Sequence, residues 1–177
     1  AVNLSPLQLK QSRLVLQIQN ILHDSGLRPD RLDLEITESA LLVENAATRL
    51  ALNELRNLGI GISLDDFGTG YSSLRSLRAF PVDKIKIDRS FVAEIGRNGD
   101  SDAIIRAVIG LARDLGIATA AEGIENQAQL RWLTALGCTQ GQGHYFSVPM
   151  SEAQTRILLE SDLEAGAKAP RVRRGST

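Results

Sequence analysis

A single cysteine, Cys138, leaves no internal disulfide to form, and a reducing compartment such as the cytoplasm fits that. Aromatic residues make up only 4% of the chain, too few for a surface that stacks nucleic-acid bases. Neither sign of charge dominates: 20 Lys and Arg stand against 21 Asp and Glu, a net charge of -1, so no field favours DNA or an anionic membrane. No apolar run approaches the ~18–20 residues needed to span a bilayer, and no signal-peptide pattern is visible. What is present is 177 residues, 43% hydrophobic and 23% charged, the ordinary composition of a globular domain with one core. Ala1-Val2-Asn3-Leu4 already reads as strand. That abrupt start predicts a segment of a longer protein, whose remainder could hold a membrane anchor.

Helix signals alternate with short apolar strands. Ser5-Pro6 reads as a cap and first-turn proline. The helix it opens carries Leu14, Ile18, Ile21 and Leu22 at helical spacing and stops at Gly26. Leu32-Asp33-Leu34-Glu35-Ile36 alternates strictly and predicts a strand. Further strands are expected over 60–65, 82–88, 117–121 and, more weakly, 140–146. The expected helices run from 39 or 44 to 58, over 72–80, 100–115 and 127–136, and from 151 to about 160. A junction recurs at Leu58-Gly59-Ile60, Leu115-Gly116-Ile117 and Leu136-Gly137-Cys138, where a glycine ends a helix and a strand follows at once. Residues 166–177 carry Arg171, Arg173 and Arg174 without apolar periodicity and read as a solvated tail.

Strict alternation of strand and helix predicts a parallel α/β sheet, either open and doubly wound or closed as a barrel. The polar residues at the strand ends decide between these. They are Asn3, Glu35 with Glu38, Asp65 with Asp66, Lys86 with Asp88, Glu122 with Glu125, and Gln142. A barrel gathers all such ends on one face, whereas an open sheet spreads them along an edge. Six strands each delivering a polar group favour the TIM-like (β/α) barrel, with about six of its eight βα units in this chain.

The stretch "ISLDDFGTG" (62–70) sets two carboxylates side by side where an apolar strand ends. Taken alone, Asp65 and Asp66 are equally well explained by turn and capping chemistry. On a barrel face they join Glu35 and Glu122. Four carboxylates at such range do not all ionise without compensating positive charge, and Lys86 supplies only one. Divalent cations are the natural remedy. The donors are all oxygen, which favours Mg²⁺, Mn²⁺ or Ca²⁺ over zinc, and adjacent aspartates suit a two-ion site with Asp65 bridging. Lys86, between two isoleucines, is either a structural ion pair with the acids or the group that orients a reacting water. His23 is expected to be exposed and His144 to face substrate or support the site. Cys138 is expected to be buried, and Trp132 to pack.

The motifs "LEITES" (34–39), "LDDFGTGYSSL" (64–74), "KIDRSF" (86–91), "AEGIE" (121–125), and "GQG" with "FS" and Pro149 (141–149) resemble the EAL domain, the bacterial cyclic di-GMP phosphodiesterase. "VNLS" (2–5) resembles its third strand. The resemblance implies a TIM-like barrel that hydrolyses cyclic di-GMP to linear pGpG with two Mg²⁺ or Mn²⁺ ions. It implies Asn3, Glu35 and Asp65 as ligands of one ion, Asp65, Asp66 and Glu122 as ligands of the other, and Lys86 as the residue positioning the water. Gln142 and Asp88 fall on the substrate side or in support of the ligands. Glu38 and Glu125 would support the loop 67–73, which with its following helix would form a homodimer contact. Upstream sensor or GGDEF-type domains are the partners such a domain implies.

The Glu-Ala-Leu tripeptide of the family's first strand is not among these residues. The expectation is therefore a partial EAL-type barrel over 1–161, a disordered tail over 162–177, and impaired activity for these residues alone. The competing expectations are a non-catalytic cyclic di-GMP-binding or dimerisation module, and an unrelated metal-dependent barrel such as an aldolase.

Overall fold

The computed structural model describes residues 1–38, 40, 46–68, 77 and 79–168, with side chains as far as 160. It divides into two units, Ala1–Phe146 and Ser147–Thr177. In the first, six strands form one sheet: β1 Val2–Asn3, β2 Asp33–Thr37, β3 Gly61–Phe67, β4 Lys84–Ile87, β5 Ala118–Ala121 and β6 Gln140–Gly141. All adjacent pairs are parallel, and their spatial order is their chain order. A doubly wound sheet reverses direction at a switch point. This sheet never reverses, so it winds one way, as TIM-type barrels do, and all its C-terminal strand ends share one rim.

The helices are α1 Pro6–Leu9, α2 Leu14–Ser25, α3 Ala46–Asn57, α4 Arg89–Ala93, α5 Gly99–Asp114 and α6 Gln127–Leu136, with a 3₁₀ turn at Pro29–Arg31. The single helix expected after Ser5 is two. Ser5 and Gln8 close a capping box on α1, but Lys10, Gln11, Ser12 and Arg13 are all exposed and offer the core nothing to continue the helix. Residues 77 and 79 are helical, within the helix expected over 72–80, whose other residues before Ala79 lie outside the described ones. The repeated Leu-Gly junctions end helices as expected, with Gly59, Gly116 and Gly137 at φ 96, 69 and 90°. Only glycine takes that conformation without a Cβ penalty.

Alternation along the strands sorts the side chains. Leu34 and Ile36, Ile62 and Leu64, and Ile85 and Ile87 are buried in the same core as Leu52 and Leu55 of α3, Ile105 and Ile109 of α5, and Leu133 of α6. The opposite face carries Asp33, Glu35 and Thr37; Gly61, Ser63 and Asp65; Lys84 and Lys86; and Ala118 and Ala120. The registers Asp33↔Gly61, Glu35↔Ser63, Ser63↔Lys84 and Lys86↔Ala120 align these into rows. An apolar face turned to the helices and a polar face turned inward is the pattern that puts chemistry inside the curve of the sheet.

β6 is shorter than the strand expected over 140–146. Gln142 still bonds Ala121 and Ile124, but a turn closes from Gly143 to Phe146. In the second unit, Ser151 and Gln154 cap helix α7, Glu152–Lys168. It runs past the expected end near 160 and through the first residues of the expected tail. No described helix is long and apolar enough to cross a membrane.

Candidate active site

Lys86 stands at the centre of the polar face. Its Nζ lies 2.6 Å from Glu122 Oε1, 2.9 Å from Glu35 Oε2 and 3.0 Å from Asp65 Oδ1. These acids come from β2, β3 and the end of β5, so four separate elements meet at one ammonium. Only 8% of the lysine side chain is exposed. Burial works against its charge, but hydrogen bonds to Glu122, Glu35 and Asp65 outweigh that and hold the ammonium well above the ordinary lysine value.

Asp65 and Asp66 are brought together by a bulge. Leu64 pairs with Ile85 and Phe67 with Ile87, so the two aspartates of β3 oppose the single residue Lys86 of β4. Asp66 takes φ 56°, the only non-glycine residue with positive φ among those described. Its amide bonds Asp65 Oδ1 at 3.1 Å. Partial burial, then the charges of Asp65 and Asp88, push the Asp66 carboxyl above its ordinary value, with Lys86 pulling the other way. The bulge answers why two like charges sit side by side. It cancels one step of the strand's alternation, so neighbours that would face opposite sides share one partner.

The remaining expected residues fall at or near this rim. Asn3 pairs with Glu35 across β1 and β2. Glu38 is buried, and its Oε2 accepts the Gly68 amide at 3.2 Å, fastening the start of the loop that follows β3. The rest of that loop, residues 69–73, and the dimer contact expected of it lie outside the described residues. Asp88 caps α4, accepting the Ser90 amide at 2.9 Å and the Ser90 hydroxyl. Partial burial opposes its charge, but the bonds from Ser90 and Arg89 prevail and hold its carboxyl below the ordinary range. Gln142 is exposed, and its carbonyl accepts the Ile124 amide at 3.0 Å. The Glu125 amide donates to Gln129 Oε1 at 2.8 Å, and its side chain is exposed.

His23 and His144 are both exposed. Trp132 packs with its ring under the Arg106 guanidinium, 5.1 Å from the centroid. Cys138, expected to be buried, is half-buried, because it leads into the edge strand β6, with Sγ 3.3 Å from Gln140 O.

One row escaped the sequence reading. Lys84 Nζ lies 2.6 Å from Asp33 Oδ2, and the Ser63 hydroxyl donates to the same carboxylate at 2.8 and 2.9 Å. Each member sits two residues before its counterpart in Glu35, Asp65 and Lys86. The signal was available: acids two apart in one strand and lysines two apart in another share a face.

The donor set of the upper row suits a hard divalent cation: carboxylates and one amide oxygen, with no thiol or imidazole. Three carboxylates contact one ammonium there, and its charge also reaches Asp66. Among the described residues no three acidic, histidine or cysteine groups already close around a single metal point. They close on Lys86 Nζ instead, so a cation entering the site has to draw the acids off the lysine. The residues fit a cation as competitors of that ammonium.

A singly wound parallel α/β sheet whose strand ends converge on carboxylates defines an acidic-centred barrel of the TIM type. The chain belongs to the EAL domain family, whose model matches residues 1–149. It is 44% identical to MucR of Pseudomonas aeruginosa, named a bifunctional diguanylate cyclase/cyclic di-GMP phosphodiesterase, over 87% of this chain and 22% of that protein. The solved EAL domain of Mycobacterium smegmatis DcpA aligns with TM-score 0.85 and 42% identity over 90% of this chain and 71% of that one. Klebsiella pneumoniae BlrP1, solved as a manganese and cyclic-di-GMP complex, aligns with TM-score 0.76 and 37% identity over 83% of this chain and 38% of that one. The chain spans 20–24% of the length of the curated relatives it matches over nearly its whole length.

Proposed function

We propose that this chain forms the catalytic part of a phosphodiesterase that hydrolyses cyclic di-GMP to linear pGpG with two divalent cations, Mg²⁺ or Mn²⁺. The observation that carries the reading is the convergence of Glu35, Asp65 and Glu122 on Lys86 Nζ at 2.6–3.0 Å. A dinucleotide-binding module has no need of a buried lysine inside an acid cluster. Support also comes from the names of the relatives, MucR as a cyclic di-GMP phosphodiesterase and BlrP1 with manganese and cyclic di-GMP.

Asn3, Glu35 and Asp65 would hold one ion, and Asp65, Asp66 and Glu122 the other, with Asp65 shared. Bound ions supply Lewis acidity toward the phosphoryl oxygens and make water a nucleophile at neutral pH. The chain's own residues do the rest. With the acids engaged by cations, Lys86 would be free to donate a hydrogen bond to the water and hold it in line with phosphorus. The water oxygen bonds phosphorus, the bond to the ribose 3′-oxygen breaks, and that oxygen leaves with a proton. Glu38 keeps the loop entrance seated through Gly68, Asp88 stiffens the turn that follows β4, and Gln142 faces the substrate side. The same proposal includes a homodimer through the loop 67–73 and its following helix, upstream sensor or GGDEF-type domains, and a cytoplasmic site of action.

The test is chromatography of cyclic di-GMP incubated with the purified full-length protein and Mn²⁺, with and without EDTA. Formation of pGpG that EDTA abolishes supports the reading. Binding of cyclic di-GMP with no turnover in Mn²⁺ or Mg²⁺ would give the place to a non-catalytic receptor.

A further inference from the structure

Two lysines on β4 face the same interior, and only one belongs among the acids proposed to hold cations. The lower one, Lys84, is bound to Asp33 at 2.6 Å, with 21% and 24% of the two side chains exposed. Asp33 is held from a second side by the Ser63 hydroxyl. Gly61 lies opposite Asp33 in register, and a Cβ there would stand 3.2 Å from Asp33 Oδ1, so the strand leaves room for this carboxylate. The lower row repeats the upper row one pleat earlier: Asp33 for Glu35, Ser63 for Asp65, Lys84 for Lys86. The positions two before Asp65 and Glu122 are Ser63 and Ala120, both uncharged. The lower row is thus one acid to one base, while in the upper row three acids contact one base, with the charge of Asp66 beside them.

We propose that Asp33 is a positioning residue that confines Lys84 to the lower row and keeps a second ammonium out of the cation site. The inference rests on the proposed two-cation function. Asp33 and Glu35 are two residues apart on one face, about 6.6 Å along the strand. A four-carbon lysine stem spans that step. Without its own partner, a largely buried ammonium turns to the nearest surplus of negative charge, which is Glu35 and Asp65. There it would neutralise ligands and repel a dication. One added charge beside a dication at such a distance weakens its binding about tenfold or more, even at the dielectric of water.

The experiment is calorimetric titration of Mn²⁺ into the full-length protein as wild type, Asp33→Asn, and Asp33→Asn with Lys84→Met. The expected result is an affinity about tenfold or more lower in the single variant and returned to near wild type in the double, because removing Lys84 removes the intruder. A purely structural ion pair gives no such return. Equal affinity in wild type and Asp33→Asn, or a double variant as weak as the single, overturns the inference and leaves the proposed function standing. A wild type that takes up no Mn²⁺ overturns both. If Asp33→Asn does not fold, a crystal structure of the Mn²⁺-loaded wild type decides. Lys84 Nζ within hydrogen-bond distance of Asp33 supports the assignment, and Lys84 Nζ on Glu35 or Asp65 refutes it.

Discussion

Lys86 Nζ and Glu122 Oε1 lie 2.6 Å apart, a contact that ties the middle of β4 to the residue just beyond β5. It is the shortest of three such contacts to one ammonium, and it sets two roles against each other. As a structural group, Lys86 neutralises acids that would otherwise repel one another inside the sheet. As a positioning group, it needs those acids to be taken over by cations.

Replacing Lys86 by Met separates the roles. In the absence of metal, three carboxylates lose their common partner, and breaking a buried pair of this kind costs about 3 kcal/mol or more. With Mn²⁺ present, the cations replace the lost charge, so the metal-induced rise in Tm should exceed that of wild type. Turnover should nevertheless fall by about 10²-fold or more, as for loss of a group that aligns or stabilises the reacting centre. Thermal melts with and without Mn²⁺, beside pGpG formation, measure both. Normal turnover in the variant would reduce Lys86 to a structural ion pair.

Asp65 and Asp66 should differ although they are neighbours. Asp65 touches Lys86 and so lies among the converging acids, whereas Asp66 is carried by the bulge to an exposed position. Asp65→Asn should weaken both cations and Asp66→Asn mainly one. Counting bound Mn²⁺ by electron paramagnetic resonance across a titration tests this. Equal single-site losses in the two variants would break the bridging assignment.

Most of this site could be read from the chain because strand alternation is a local property. Glu35 between Leu34 and Ile36, and Lys86 between Ile85 and Ile87, announce their face by parity alone. The bulge could not be read that way. It exists only as a mismatch between β3 and β4, and the sequence of either strand is silent about its partner's register. The lower row was open to the same parity, since Asp33 and Lys84 sit two residues before Glu35 and Lys86, and only their meeting across β3 depends on register. The break between α1 and α2 was missed because the four polar residues from Lys10 to Arg13 suit an exposed helix face as well as a turn; only packing tells them apart. For β6, Gly141 and Gly143 mark a weak strand in the sequence, but where it stops is set by the close approach of Gly143 to the Ile124 backbone.

Asp88 offers a pH-dependent test of a residue that caps a helix beside the site. Its folded carboxyl titrates below the ordinary range, so its contribution to stability is fully present above the unfolded value of about 3.9 and is lost as pH falls through the folded one. Asp88→Ala should cost about 1 kcal/mol at pH 7, the usual worth of such a cap. That difference should shrink steadily once pH drops below about 3.9. Urea unfolding of both proteins at neutral and acid pH provides the comparison, and a penalty that persists unchanged at the lowest pH would deny the ionised cap its role.

Among the described glycines, Gly143 is the one where a single methyl group should be least tolerated. A Cβ there would fall 2.2 Å from the Ile124 carbonyl oxygen and 2.3 Å from its nitrogen. Both are backbone atoms with obligations: the Ile124 amide donates to Gln142 O at 3.0 Å, and its carbonyl accepts the Tyr145 amide at 2.9 Å. The Ile124 side chain is 1% exposed, so the segment cannot back away without disturbing the core. Gly143→Ala should therefore destabilise the protein by about 3 kcal/mol or more, through overpacking and lost backbone bonds together. Gly110, inside α5, gives the contrast, because a Cβ there meets nothing within 4 Å. Gly110→Ala should raise stability by up to about 1 kcal/mol through helix propensity and a less disordered unfolded chain. Denaturant melts of the two variants test opposite signs of one chemical change. A Gly143→Ala protein as stable as wild type would mean that the turn after β6 yields more readily than its contacts require.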